Sequence, residues 1–185
     1  IKIVKGEQTS QAFIITDKAD NQITSFYPGS MKNNSSLKIV DLPQKPVFAV
    51  ISPNDPKAMV NFAKECQTLK IPYMFDPAFN IPHFSKSDLG SSVKNASIVI
   101  GNDYEIELIK RRLNFKSLPK NQQIWITTLG SKGSIINQGS NTWKIPPAKP
   151  KNTSDPTGAG DAFRAGFLSG YFKNFSLDVC GRMGS

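Results

Sequence analysis

The stretch Asp155-Pro-Thr-Gly-Ala-Gly-Asp161 runs directly into the apolar Ala162-Phe-Arg-Ala-Gly-Phe-Leu168. Gly158, Ala159 and Gly160 stand where a loop turns into a helix, so several backbone N–H groups can converge on one point with no bulky side chain in the way. The open N–H groups and the positive end of the helix dipole favour an anion there, above all a phosphate. Asp161 does not suit a cradle built only for binding, because its carboxylate repels a phosphate. It suits the acceptance of a proton from a hydroxyl that attacks phosphorus. The expectation is a small-molecule kinase. Asp161 is its catalytic base, and the N–H groups of Gly158, Ala159, Gly160 and Asp161 hold the charge that develops.

Upstream, short apolar runs alternate with helical patterns. Val47-Phe-Ala-Val-Ile51 is continuously apolar, the pattern of a core strand in a parallel sheet covered on both faces. Asn54-Asp55-Pro56 supplies a cap and a helix-opening proline, after which Met59, Phe62, Ala63, Cys66 and Leu69 recur at helical spacing. Ile71-Pro-Tyr-Met-Phe75, Ser97-Ile-Val-Ile100 and Ile124-Trp-Ile-Thr-Thr128 read as further strands, with helices over 87–94 and 106–113 between them. Gly130 and Gly133 then turn the chain into a hairpin of Ser134-Ile-Ile-Asn137 with Thr142-Trp-Lys-Ile145. Strands alternating with helices imply right-handed crossovers. The expected fold is therefore α/β, a doubly wound, mostly parallel sheet with helices on both faces and ligands at the strand carboxyl ends. Nearer the start, Gln11-Ala-Phe-Ile-Ile-Thr16 and Gln22-Ile-Thr-Ser-Phe-Tyr27 flank the turn-forming Asp17-Lys-Ala-Asp-Asn21 and read as a separate hairpin. Residues 30–46 are polar and read as a connector with a single helical turn.

At 185 residues and 38% hydrophobic, the chain suffices for one domain with a real core. Its 23 Lys and Arg against 14 Asp and Glu point to an anionic partner. The cations are scattered and lack the aromatic interleaving of a nucleic-acid platform, which argues for a nucleotide and against nucleic acid. Cys66 and Cys180 share no metal or redox spacing and read as small buried residues in a reducing compartment, while His83 after Pro82 reads as a loop residue. There is no long apolar run and no charged-then-apolar leader, so the expectation is a cytoplasmic protein with no membrane partner.

Residues 155–168 resemble the second signature of the ribokinase-like (PfkB) family of sugar and nucleoside kinases, Asp-x-x-Gly-Ala-Gly-Asp-x-Phe followed by small residues. Other segments at expected strand ends fit the same family. Asn102-Asp-Tyr-Glu105 resembles its Asn-x-x-Glu motif, which implies that Asn102 and Glu105 organise Mg²⁺ and its waters around nucleotide phosphates. Read without the resemblance, the two are equally a helix cap and a first-turn acid. Thr127-Thr-Leu-Gly-Ser-Lys-Gly133 resembles the family's Thr-Leu-Gly-x-x-Gly loop along ATP, implying nucleotide contacts from Thr128, Gly130, Ser131, Lys132 and Gly133. A tight turn is the plainer reading. The family has a monovalent-cation site at the counterparts of Asp155 and Thr157, so the resemblance implies ATP and Mg²⁺ as cofactors and, as in the members that respond to it, K⁺. Arg164, one turn into the helix, faces either a phosphate or solvent and is not counted with the site.

The resemblance covers nearly the whole chain and leans toward the bacterial adenosine-kinase branch, in which Pro follows the first Asp and Arg-Ala-Gly follows the aromatic residue. It implies transfer of the γ-phosphoryl group of ATP to the 5′-hydroxyl of adenosine for purine salvage. A sugar kinase of the ribokinase or fructokinase type is the alternative, and Asp161 counts against a nucleotide-binding protein without turnover. Phe13, Phe26 and Tyr27 either stack on a base or belong to a core. Asp76-Pro-Ala-Phe-Asn80 departs from the branch, which often has Asp-Pro-Gly/Ser-Gln-Gln, and so lacks an amide at Phe79. Family members extend further at both ends. The chain is accordingly expected to be an internal fragment, with residues 1–30 forming part of a β lid and 31–185 the α/β ATP-binding kinase domain. Lid strands of the family often pair between subunits, which allows a homodimer through the lid.

Overall fold

In the computed structural model, which describes residues 3–17, 22–149 and 157–185, the apolar runs and helical patterns form two sheets and five α-helices among the described residues. Strands β1 (Gln11–Thr16) and β2 (Gln22–Tyr27) pair antiparallel as a small separate sheet. The connector forms two 3-10 segments, Gly29–Ser36 and Ile39–Asp41, more ordered than one helical turn. There follow β3 (Ala49–Ile51), α1 (Pro56–Thr68), β4 (Tyr73–Phe75), α2 (Lys86–Lys94), β5 (Ile98–Asn102), α3 (Asp103–Leu113) and β6 (Ile124–Thr128). The chain then runs through β7 (Ser134–Gln138), β8 (Asn141–Ile145), α4 (Ala159–Tyr171) and α5 (Leu177–Gly184). The main sheet has the order β3-β4-β5-β6-β7-β8, its first four strands parallel and its last two antiparallel.

The two-residue period of a strand sends successive side chains into two different cores. Tyr73, Phe75, Val99 and Trp125 pack with Met59, Ala63 and Cys66 of α1, Leu89 and Val93 of α2, and Ile106 and Ile109 of α3. Met74, Ile98, Ile100, Ile124 and Ile126 face the other way, onto Phe163 and Phe167 of α4 and Cys180 of α5. Each fully buried side chain of this kind contributes about 1.5–3 kcal/mol. The sheet is therefore covered by helices on both faces, as its continuous apolar runs require. Helices α4 and α5 approach at backbone distance, since a Cβ on Gly166 would lie 2.0 Å from the Met183 carbonyl oxygen.

Two strands begin two residues later than expected: β4 opens at Tyr73 rather than Ile71, and β3 also changes its place in the sheet. Residues 47–51 were expected to form a core strand, but β3 starts only at Ala49 and is an edge strand of the sheet, with Val47 85% and Val50 45% exposed. An apolar run reports hydrophobicity and says nothing of how many neighbours the strand has. Helix α3 begins at Asp103, three residues before the expected start, because Asn102 already caps it. Cys66 and Cys180 are buried free thiols and His83 is exposed. Among the described residues no helix is long and apolar enough to cross a membrane.

Candidate active site

Helix α4 opens on Gly158, which holds the left-handed φ of 82° as N-cap and provides no side-chain cap. The N–H groups of the first turn thus have no side-chain cap from within the helix. Among the described residues, a Cβ on Gly158 or on Gly160 would meet nothing within 4 Å, so none of them fills the space in front of this turn. Ala159, Gly160 and Asp161 are exposed along it. The turn has the two properties a phosphate cradle needs, unscreened N–H donors at the positive end of a helix and room for the anion to approach.

Asp161 is not isolated. Its Oδ1 accepts from Nη2 of Arg164, one turn further into α4, and Nη1 of the same guanidinium reaches Oδ2 of Asp76. Asp76 immediately follows β4 and is 3% exposed, and its backbone N–H donates to the Ile51 carbonyl of β3 at 2.9 Å. The Arg164 side chain is 16% exposed while that of Asp161 is 78% exposed. Burial draws the Arg164 guanidinium below its ordinary value, yet guanidinium remains charged in proteins and here lies between two carboxylates. The ion pair ties the first turns of α4 to the carboxyl end of β4.

The neighbouring strand ends carry the other expected residues. Asn102, the last residue of β5, is the register partner of Thr128, the last residue of β6, so these two are brought side by side. Asn102 and Glu105 are joined in a reciprocal cap: Glu105 N–H donates to Asn102 Oδ1 and Asn102 N–H donates to Glu105 Oε2, both at 2.8 Å. Asn102 Nδ2 and Glu105 Oε1 make no hydrogen bond among the described residues. No three His, Cys, Asp or Glu side chains cluster among the described residues into a ready-made metal site. Mg²⁺ keeps several waters and takes one or two protein oxygens beside the nucleotide phosphates, so a single carboxylate oxygen here fits it.

After β6, Gly130 (φ 57°) and Gly133 (φ 87°) bracket a 3-10 turn, Gly130–Lys132, closed by Leu129 N–H to Gly133 O at 2.8 Å. A Cβ on Gly133 would lie 2.0 Å from the Ile145 carbonyl oxygen, so a side chain is excluded there. Ser131 and Lys132 stand exposed on the turn. Thr157 is exposed just before the cradle, and Asp155 lies outside the described residues. On the small sheet, Phe13 is paired with Ser25 and Gln11 with Tyr27, whereas Phe26 is paired with Ala12. Phe13 and Tyr27 therefore share one face and Phe26 lies on the other, so the three rings do not form one stacking surface. All three are exposed.

Sequence reasoning did not place Asp76 and Arg164 beside Asp161. A cation three residues after Asp161 on a helix was a readable signal, and so was an acid at a strand's carboxyl end. Their pairing across the fold had no signal in the sequence.

The pfkB family carbohydrate kinase model matches residues 1–185. The chain belongs to the PfkB family. Among its curated relatives, a nucleoside kinase of Methanocaldococcus jannaschii is 35% identical over 97% of this chain and 59% of its own length. The structure of Burkholderia thailandensis nucleoside kinase in complex with inosine superimposes with a TM-score of 0.91 at 31% identity, covering 97% of this chain and 60% of that one. An adenosine kinase of Saccharomyces cerevisiae is 27% identical over 70% of this chain and 43% of its own length. The likeness is thus stronger to proteins named for nucleosides in general than to that adenosine kinase. This PfkB chain spans about 60% of the length of the nucleoside kinases it matches.

Proposed function

We propose that the full-length protein is an ATP-dependent kinase that transfers the γ-phosphoryl group to the 5′-hydroxyl of a nucleoside, adenosine in the first instance. The observation that carries this is the open, glycine-lined first turn of α4 with a carboxylate at its third position. In this reading the N–H groups of residues 158–161 receive the charge that develops on the transferring phosphoryl oxygens. Asp161 accepts the proton of the attacking hydroxyl as that oxygen bonds to the γ-phosphorus and the bond to the β,γ-bridging oxygen breaks, leaving ADP. Thr128, Gly130, Ser131, Lys132 and Gly133 line the nucleotide, the glycines letting the protein backbone approach it closely and Lys132 offering a cation. Asn102 and Glu105 would hold Mg²⁺ through water and Glu105 Oε1, and the ion when bound neutralises phosphate charge. Asp155 and Thr157 belong in the same reading to a K⁺ site beside the cradle. Residues 31–185 form the nucleotide-binding body and residues 1–30 part of a lid.

The bound inosine of the Burkholderia thailandensis structure supports a nucleoside acceptor over a free sugar. A test compares ADP formation by the full-length protein with adenosine, inosine, cytidine, ribose and fructose under Mg²⁺ and ATP. Turnover with nucleosides and none with sugars is expected, and turnover only with a free sugar would overturn the acceptor assignment. Asp161→Asn is expected to lower kcat by roughly 10²–10⁴-fold with ATP binding retained, and a near-normal rate would remove Asp161 from its role.

A further inference from the structure

Arg164 spans two carboxylates of very different standing. Asp76 is 3% exposed, follows β4 directly and is held at its backbone by the hydrogen bond to Ile51. Asp161 is an exposed side chain on the first turn of a helix, where nothing in its own turn fixes the direction of its carboxyl group. A guanidinium is a planar fork whose nitrogens point in set directions, so the anchoring of Nη1 on Asp76 settles where Nη2 lies and hence where Asp161 Oδ1 is drawn. A lysine, with a single point charge, could not transmit a direction in this way. Resting on the kinase reading above, we propose that Arg164 is the positioning residue of the reaction: anchored on the buried Asp76, it aims the Asp161 carboxylate at the acceptor hydroxyl. Arg164 holds one oxygen of Asp161, leaving Oδ2 to take the proton. Asp76 contributes only through Arg164.

The test uses steady-state kinetics of the full-length protein with ATP and its best nucleoside. Asp76→Asn with Arg164→Gln removes cation and buried anion together, so no buried carboxylate is stranded. This double variant is expected to lose roughly tenfold to a hundredfold in kcat, the scale of a misplaced catalytic group, with KM for ATP nearly unchanged. Built into Asp161→Asn, the same two changes are expected to cost less than about twofold, because no carboxylate is left to aim. An undiminished kcat, or an equal loss in both backgrounds, would overturn the inference, the latter assigning Arg164 to phosphate or to the fold. If the double variant melts before assay, Arg164→Lys decides: a reduced kcat at unchanged KM upholds positioning, and a wild-type kcat rejects it. A wild-type protein that phosphorylates no nucleoside and no sugar overturns the kinase reading and this inference together, whereas the outcomes above overturn the inference alone.

Discussion

Gly160 and Ala78 show how single residues are held by opposite demands. Gly160 is helical, and a Cβ there would touch none of the described residues, so their packing has no use for glycine at this position. Alanine should stabilise the helix by up to about 1 kcal/mol. It would also fill the space in which a phosphate is proposed to sit. Gly160→Ala is therefore expected to raise the thermal midpoint while lowering kcat/KM for ATP, and a variant that gains stability with full activity would mean the phosphate lies elsewhere. Ala78, two residues past Asp76, holds a left-handed φ of 42° where the adenosine-kinase branch often carries glycine or serine. A left-handed L-residue costs roughly 1–2 kcal/mol, part of which glycine returns in unfolded-state entropy. Ala78→Gly should raise the stability by up to about 1 kcal/mol, measurable by denaturant unfolding.

Helix α3 combines a structural end with a proposed chemical one. Its first turn is stapled by the Asn102–Glu105 cap, and Asn102 is also the strand-end residue paired with Thr128. The two roles separate under substitution. Asn102→Ala removes the side-chain acceptor of the cap and should cost about 1 kcal/mol of stability. Glu105→Gln keeps an oxygen able to accept from the Asn102 N–H, so stability should hold while the carboxylate charge disappears. If Glu105 meets Mg²⁺, turnover of Glu105→Gln will need severalfold more Mg²⁺ for half its maximal rate. A Mg²⁺ titration superimposable on the wild type would leave the pair as a cap and nothing more.

Across the molecule, the helix-covered sheet buries groups whose protonation the fold controls. Burial pushes the Cys66 thiol from 9.0 up to about 11 and the Tyr73 phenol, which donates to Ser92 O at 2.7 Å, from 10.0 up to about 12. Both hold their protons more tightly folded than unfolded. Their contribution to stability is complete below about pH 9, the ordinary thiol value, and is lost as pH climbs toward 11 and 12. The thermal midpoint of the full-length protein is expected to stay level up to about pH 9 and then fall. Cys66→Ala should delay the onset of that fall toward the tyrosine's range, and a midpoint level across the whole alkaline range would contradict the burial of both groups.

Much of this protein was determined by local chemistry that the sequence displays directly. The strand runs, the capped helices and the turn at Gly158 depend on residues next to one another in the chain, through periodicity, capping and positive φ. So do the glycine cradle with Asp161 and the Gly130–Gly133 turn, whose geometry follows from their own residue types. Only the tertiary structure decided that β3 is an edge strand, that the register of the small sheet puts Phe13 on the face of Tyr27, and that Asp76 meets Arg164. Each of those depends on which elements become neighbours, and the free energy that settles it is spread over the many buried contacts of both cores. No residue announces its distant partner, and so the buried acid behind the proposed catalytic base became visible only once β4 and α4 were packed together.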